Sequence, residues 1–226
     1  MANFSDYKYK RVTMFLGHYG SGKTNLAVNF ALSMREKGLS VKMADLDIVN
    51  PYFRTKDSEK LLKEKGIELI SPAFANSNVD LPALPQQAYS LVQRKDFYAV
   101  MDIGGDDRGA YALGRYTPYI LEENDYEMIF VANFYRPLTT TADEAIEVMR
   151  EIESACKIKF TAIINNSNLG NQTTAEAINA TIERANELSK KTNLPIIATT
   201  VVDKTGVIAE NLMEITLQEK YFDIKD

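Results

Sequence analysis

The residues best suited to chemistry in this sequence form a glycine-rich segment close to its start, Gly17-His-Tyr-Gly-Ser-Gly-Lys-Thr24. The segment has the spacing G-x-x-x-x-G-K-[S/T], and it stands between an apolar run and a helical pattern. Glycine permits backbone conformations in which successive N–H groups point inward, and a helix that begins beneath them adds partial positive charge. Such a loop holds a polyphosphate, so the pattern predicts nucleotide binding. The alternative is a glycine-rich turn that matches the spacing by accident.

Two side chains of this loop have separate predicted roles. We expect Lys23 to neutralise the β- and γ-phosphates and so to take part in catalysis, and the Thr24 hydroxyl to ligate Mg²⁺. The residues expected to contact the nucleotide in this segment are Gly17, His18, Tyr19, Gly20, Ser21, Gly22, Lys23, Thr24 and Asn25. The loop therefore predicts a nucleoside triphosphate with its magnesium ion as ligand.

Short apolar runs alternate with longer helical patterns along the whole chain. The runs are Val12–Leu16, Val41–Ala44, Ile67–Ile70, Tyr98–Ile103, Met128–Ala132, Phe160–Ile164 and Pro195–Ala198. The helical patterns cover residues 25–37, 57–65, 83–95, 139–156, 174–191 and 204–217. Continuously apolar runs are typical of strands buried on both faces of a parallel sheet. The alternation predicts one α/β domain over residues 1–226, a doubly wound, mostly parallel sheet of about seven strands with helices on both faces.

Two of the helices are expected to begin with capping boxes. Thr141 stands three residues before Glu144, and Thr173 stands three residues before Glu176. This spacing lets the hydroxyl and the carboxylate bond to the exposed N–H groups of the first helical turn. It therefore predicts helix starts at both threonines.

Polar side chains follow several of the predicted strands where each strand ends. Asp45 and Asp47 follow the second run, Asp102 lies at the end of the fourth, and Asn165 closes the sixth. Ligands of open parallel sheets bind beyond the carboxyl ends of the strands, so we expect these side chains to meet at one rim. The alternative for Asp45 and Asp102 is a carboxylate that merely caps backbone N–H groups at a strand end.

The order of these landmarks resembles the MinD/ParA-like branch of the P-loop nucleoside triphosphatases, which belongs to the SIMIBI class and includes CobQ/CobB-type domains. The segments that carry the resemblance are the phosphate loop, the Asp45-Leu-Asp47 segment, the strand ending in Asp102-Ile-Gly104, the strand ending in Asn165, and the loop around residues 203–209. They span residues 12–209, nearly the whole chain. The resemblance implies the P-loop fold and a Mg²⁺-dependent ATPase.

The resemblance also implies roles for individual residues. Asp47 would orient or activate the water that attacks the γ-phosphate. Asp45 and Asp102 would support Mg²⁺, through its water molecules, because this ion gives up hydration reluctantly. Asn165 would hydrogen-bond the adenine ring.

The expected base follows from one further segment. Guanine selection commonly uses Asn-Lys-x-Asp, whose carboxylate accepts two N–H bonds from the guanine edge. The equivalent segment here is Asn165-Asn-Ser-Asn168, which ends in a neutral amide, a weaker acceptor than a carboxylate. We therefore expect ATP rather than GTP.

The phosphate loop departs from the MinD pattern at one position. Many members carry a second lysine there, which reaches the partner's phosphates across a nucleotide-dependent homodimer, whereas this chain has His18. A neutral imidazole does not replace a permanent cation. Arg54 and Arg136 are candidate substitutes, and the alternative for each is an ordinary surface charge.

Two further segments at the predicted rim of the sheet have alternative interpretations. The proline-containing stretch 71–85 is long enough to meet a substrate or partner, and residues 104–109 either move with the nucleotide or begin a helix.

The composition excludes several classes of protein. The chain has 226 residues, of which 45% are hydrophobic and 25% charged, so it is neither fibrous nor disordered. One cysteine, Cys156, cannot form an intrachain disulfide, and no apolar run reaches the length of a membrane helix. We expect a cytoplasmic protein without a membrane partner. The formal net charge is −5, which does not attract nucleic acid, so we do not expect a nucleic-acid partner.

Four functions are consistent with these residues. The first is an ATPase that couples its nucleotide state to an unidentified protein or cofactor-assembly partner. The others are a dethiobiotin-synthetase-like phosphotransferase or ligase, a GTP-dependent metal-insertion chaperone, and a binding module with negligible turnover. The acidic segment after the second strand argues against the phosphotransferase, and the missing His/Cys cluster argues against the chaperone.

Overall fold

The apolar runs form the strands of one parallel sheet in the computed structural model of the protein, which describes residues 7–47, 58–71, 86–105 and 107–217. The strands are β1 (Val12–Leu16), β2 (Val41–Leu46), β3 (Glu68–Ile70), β4 (Tyr98–Ile103), β5 (Tyr126–Ala132), β6 (Ala162–Asn165), β7 (Ile196–Val201) and β8 (Leu212–Glu214). Their order is β3-β2-β4-β1-β5-β6-β7-β8, with parallel pairing throughout. The predicted fold class is confirmed, and the sheet has one strand more than the seven expected.

Helices lie between consecutive strands from β1 to β7, as is usual for parallel pairing, whereas residues 202–211 connect β7 to β8 without a helix. They are α1 (Lys23–Glu36), α2 (Glu59–Glu64), α3 (Ser90–Gln93), α4 (Asp107–Gly114), α5 (Thr117–Glu123), α6 (Ala142–Cys156) and α7 (Ala175–Thr192). Short 3₁₀ turns cover Gln86–Tyr89 and Gly170–Gln172. The capping box at Thr141 and Glu144 is confirmed, with both reciprocal hydrogen bonds present at the start of α6.

Two separate cores show that the sheet is covered on both faces. Successive residues of β1 contribute to opposite cores, Met14 and Leu16 to one and Phe15 to the other. The Phe15 core is closed by apolar residues of α1 and α2, and the opposite core by residues of α3 to α7. Because side chains alternate across a strand, this division requires helices on both sides.

The predicted helix over 204–217 is wrong. The Asp203 carboxylate accepts hydrogen bonds from the backbone N–H and the hydroxyl of Thr205, and the Asn179 side chain bonds to Gly206 and Ile208. Gly206 also adopts φ +80°. These bonds satisfy backbone groups that a helix would use, so this segment turns and then forms β8.

The second predicted capping box is also wrong by one residue. Thr174, not Thr173, is the N-cap of α7, and its hydroxyl accepts the N–H of Ala177. The Thr173 hydroxyl instead donates to the Gly170 carbonyl and accepts the N–H of Leu169. The preceding 3₁₀ turn therefore uses the side chain that the spacing assigned to the helix.

Candidate nucleotide site

The loop between β1 and α1 has backbone conformations that require glycine. Gly20 and Gly22 adopt φ angles of +74° and +89°, in the left-handed region. A β-carbon at Gly17 would lie 2.5 Å from the carbonyl oxygen of Val131, and one at Gly22 would lie 2.3 Å from Asn166 Nδ2. The glycines of the motif are thus needed both for the turn itself and for the close approach of β5 and of the loop after β6.

Hydrogen bonds from other loops and from the phosphate loop itself hold its carbonyl groups. Asn166 Nδ2 donates to the Ser21 oxygen over 2.6 Å, and Arg136 Nε donates to the Gly20 oxygen over 3.1 Å. The His18 oxygen accepts from the Ser21 N–H at 3.1 Å and from Lys23 Nζ at 3.4 Å. The C=O and the following N–H of a trans peptide point in opposite directions. Holding the Ser21 oxygen therefore turns the next N–H toward the inside of the loop.

The N–H groups of the loop differ from its carbonyl groups in their hydrogen bonding. Within residues 7–47, 58–71, 86–105 and 107–217, no protein acceptor bonds to the N–H groups of Tyr19, Gly20 and Gly22. Lys23, 4% exposed, and Thr24, 9% exposed, begin the helix beneath them. Asn25 follows in the first helical turn. The arrangement therefore presents donors, an ammonium group and a helix N-terminus to the same space.

Gly105 closes the other side of this space. A β-carbon at this residue would lie 2.5 Å from the Gly17 oxygen, 2.9 Å from Lys23 Nζ and 2.9 Å from the Tyr19 nitrogen. The segment after β4 therefore touches the phosphate loop directly, and a side chain here would fill the cradle. The sequence predicted that residues 104–109 either move with the nucleotide or begin a helix, and α4 does begin at Asp107. A glycine pair after the strand-end aspartate also indicates close approach, which was not predicted.

Three carboxylates lie at the carboxyl ends of β2 and β4, and β4 is a neighbour of β1 in the sheet. Asp45 of β2 pairs directly with Asp102 of β4, so both side chains project from the same side of the sheet. Asp45 and Asp102 are 3% and 0% exposed, and Asp47 is 7% exposed. One Asp45 oxygen accepts the backbone N–H of Asp47 at 3.1 Å, which is the capping role that we considered as the alternative. The second carboxylate oxygen of Asp45, Oδ2, does not take part in this hydrogen bond.

The donor set fits a hydrated magnesium ion. Asp45, Asp102 and the Thr24 hydroxyl supply oxygen ligands, and Mg²⁺ keeps several water molecules when few protein ligands reach it. A cluster of three or more His, Cys, Asp or Glu residues able to hold a metal on their own does not occur in the described part of the chain.

The Asn165 side chain is hydrogen-bonded to other side chains of the protein, and its contact with the base stays a prediction. Its Nδ2 donates to the Thr181 hydroxyl at 3.1 Å, and its Oδ1 accepts from the Ser167 N–H and hydroxyl. The side chain is fully buried. Asn166, which sequence analysis did not assign, instead contacts the phosphate loop and also accepts a bond from Thr200. Only its position after a strand could have suggested this role.

The residues considered for the place of the second lysine differ in how they contact the phosphate loop. His18 is half-buried, and its Nδ1 lies 3.1 Å from the Tyr19 oxygen, so the ring is turned onto its own loop. Arg136 donates a hydrogen bond to the Gly20 carbonyl, so it is not simply a solvated charge on the surface. Arg54 and the stretch 72–85 lie outside the described residues, as does Asp106.

Comparisons with known proteins give structural neighbours but no sequence family. No family model matches the chain, and no curated protein matches it. Chloroplast FtsY from Physcomitrella patens is similar in structure, with a TM-score of 0.61 at 18% identity over 92% of this chain and 62% of its own. Cell division protein FtsY from Thermotoga maritima has a TM-score of 0.59 at 17% identity, covering 90% of this chain and 67% of its own.

A third neighbour is the signal recognition particle receptor FtsY from Elizabethkingia anophelis in complex with GDP. It has a TM-score of 0.51 at 16% identity, covering 93% of this chain and 61% of its own. This chain thus spans between 61% and 67% of the length of these solved chains. At these identities the likeness establishes the fold alone, which is that of the P-loop nucleoside triphosphatases.

No helix in the described residues is both long enough and apolar enough to cross a bilayer.

Proposed function

We propose that this chain is a Mg²⁺-dependent nucleoside triphosphatase of the MinD/ParA type, which couples its nucleotide state to a protein partner. The observation that carries the proposal is the phosphate loop, in which the N–H groups of Tyr19, Gly20 and Gly22 face no described protein acceptor while Lys23 lies buried beside them. Successive backbone N–H groups of a glycine-rich turn form a concavity that binds anions, and a cation beside it favours a phosphate group, so this group of donors supports an anionic ligand.

The reaction that suits the site is attack of water on the γ-phosphate. Little covalent chemistry is required of the protein in such a transfer, because positioning and charge neutralisation supply most of the catalysis. Lys23 would hold the phosphate tail, and Thr24, Asp45 and Asp102 would hold the magnesium ion and its water. Asp47 lies one residue beyond β2 and is buried next to Asp45, where a carboxylate can orient the attacking water.

We propose ATP as the nucleotide, with GTP as the second candidate. Asn168 supports ATP: its Nδ2 donates to the Asn166 oxygen, and its Oδ1 accepts the Gly170 N–H. This amide offers no carboxylate pair for the guanine edge. GTP is supported by the structural neighbour from E. anophelis that holds GDP.

The proposed partner is another protein. Coupling to another protein, and a nucleotide-dependent homodimer, follow from the resemblance to MinD and ParA. The phosphotransferase reading depends on a cation after β2, and that segment lies outside the described residues.

The test is a calorimetric titration with Mg–ATP and Mg–GTP, followed by a phosphate-release assay. Wild type is expected to bind at least one triphosphate. Lys23→Ala is expected to abolish that affinity, and Asp47→Asn to keep it but lose turnover. Lys190→Ala removes an exposed charge from α7 and is the control. Unchanged affinity in Lys23→Ala would remove the phosphate-loop assignment, and normal turnover in Asp47→Asn would reject the water-orienting role.

A further inference from the structure

A cation outside the G-x-x-x-x-G-K-T motif lies against the phosphate loop. Arg136 follows β5 in the chain, and its Nε donates to the Gly20 carbonyl oxygen over 3.1 Å. A β-carbon at Gly20 would lie 3.4 Å from Nε, 3.5 Å from Cδ and 3.8 Å from Cζ of this arginine. The guanidinium therefore packs on the loop itself and is not simply near it.

The backbone around Arg136 is fixed independently of the phosphate loop. Its N–H donates to the Asn133 oxygen at 3.1 Å, and its own carbonyl accepts from the N–H and hydroxyl of Thr139, both at 3.3 Å. The Thr139 side chain is buried and also bonds to the Asn133 oxygen at 2.8 Å. A turn held by this many bonds presents the arginine in a defined direction, which is what a positioning residue requires.

The outer part of the guanidinium is not used by the described part of the protein. Its Nε bond to Gly20 is the one side-chain hydrogen bond that the structure gives Arg136 among the described residues. The Nη groups keep their donors and their share of the positive charge. Electrostatic interactions act over about 8 Å at physiological salt. A phosphate held by the amides of the same loop lies within that range.

We propose that Arg136 is a second cation of the phosphate site, acting in the same chain as Lys23. The proposal rests on the proposed function. Nε keeps the Gly20 carbonyl turned outward, and the remainder of the guanidinium adds positive charge beside the triphosphate tail. Arg136 thus supplies, from the loop after β5, charge that His18 does not supply from within the motif.

The charge and the hydrogen bond can be separated by substitution. Arg136→Gln keeps a side-chain donor but removes the charge, whereas Arg136→Lys keeps the charge. Arg150→Gln is the matched control, because it removes an exposed arginine charge from α6. Each variant would be titrated calorimetrically with Mg–ATP, Mg–GTP and the corresponding diphosphates at low and high salt, after thermal melting has shown that it is folded.

We expect Arg136→Gln to bind the preferred triphosphate about tenfold more weakly than wild type at low salt. The loss should be smaller for the diphosphate and should shrink at high salt, because screening weakens the missing interaction. Arg136→Lys should recover most of the affinity, and Arg150→Gln should behave as wild type.

The outcomes distinguish this inference from the proposed function. A wild type that binds no nucleotide overturns both. A wild type that binds, with Arg136→Gln within twofold of it, overturns the role of Arg136 alone. Equal losses in Arg136→Gln and Arg136→Lys, with unchanged salt dependence, would also overturn it, because the charge would then contribute nothing.

Discussion

Replacement of Gly105 by alanine tests the geometry of the site most directly. The added methyl group would lie 2.5 Å from the Gly17 oxygen and 2.9 Å from both Lys23 Nζ and the Tyr19 nitrogen. Ordinary contacts of a β-carbon begin near 3.4 Å, so the loop or the segment after β4 must move by several tenths of an ångström. Overpacking of this size costs about 1–3 kcal/mol. If that cost falls on the nucleotide-bound state, affinity decreases by about 5- to 150-fold.

The methyl group also occupies space between the donors that would hold a phosphate. The free protein can relieve the contact by separating the two segments, whereas the bound protein needs both of them in place. We therefore expect calorimetric titration of Gly105→Ala to show weak or absent nucleotide binding, while thermal unfolding without nucleotide changes less.

Gly114→Ala is the control for Gly105→Ala. A β-carbon at Gly114 would meet its nearest neighbours at 3.5 Å or more, which is ordinary contact. Gly105→Ala and Gly114→Ala proteins that bind nucleotide equally well would refute the close approach of the segment after β4 to the phosphate loop.

Two further predictions concern the free energy of unfolding, at Asn166 and at Glu127. Asn166→Ala removes the hydrogen-bond partner of the buried Ser21 carbonyl and of the buried Thr200 hydroxyl. The free energy of unfolding should decrease by about 1–3 kcal/mol. Urea denaturation should show this loss, together with weaker nucleotide binding; a variant as stable as wild type would contradict it. Burial raises the pKa of Glu127 from 4.5 to about 7, with Tyr7 donating to the carboxylate. The unfolded chain therefore binds fewer protons between these values, so stability should fall as pH rises from 4.5 to 7. Glu127→Gln should flatten that decline in urea midpoints, and an unchanged slope would exclude Glu127 as its source.

The fold could be predicted well because most of its strands are apolar on both faces. The runs Val12–Leu16 and Tyr98–Ile103 match β1 and β4 residue for residue. β8 was missed because it has three residues, Leu212–Glu214, too few for a pattern. The start of α4 was predicted only as one of two alternatives for residues 104–109, and α5 was missed because it has only seven residues.

The candidate site was predictable only where local spacing determines it. The motif identifies Gly17 to Thr24, and strand ends identify Asp45 and Asp102, because parallel strands bring their carboxyl ends to one edge. The pairing of Asp45 with Asp102 depends on β2 lying beside β4, which the chain order does not reveal. Asn165 satisfied the positional rule but bonds to Thr181 and Ser167, partners that only the packed structure supplies.

The motif alone does not account for the open form of the phosphate loop. An isolated glycine-rich turn can bond its own N–H groups to its own carbonyls, and it loses conformational entropy when it stays open. Here two of those carbonyls, Gly20 and Ser21, bond instead to Arg136 and Asn166, which lie more than a hundred residues along the chain. These bonds remove the acceptors that a collapsed turn would use. The β5 and β6 loops therefore pre-organise the anion site, and a bound phosphate must in turn stabilise those loops, because linkage between two sites is reciprocal.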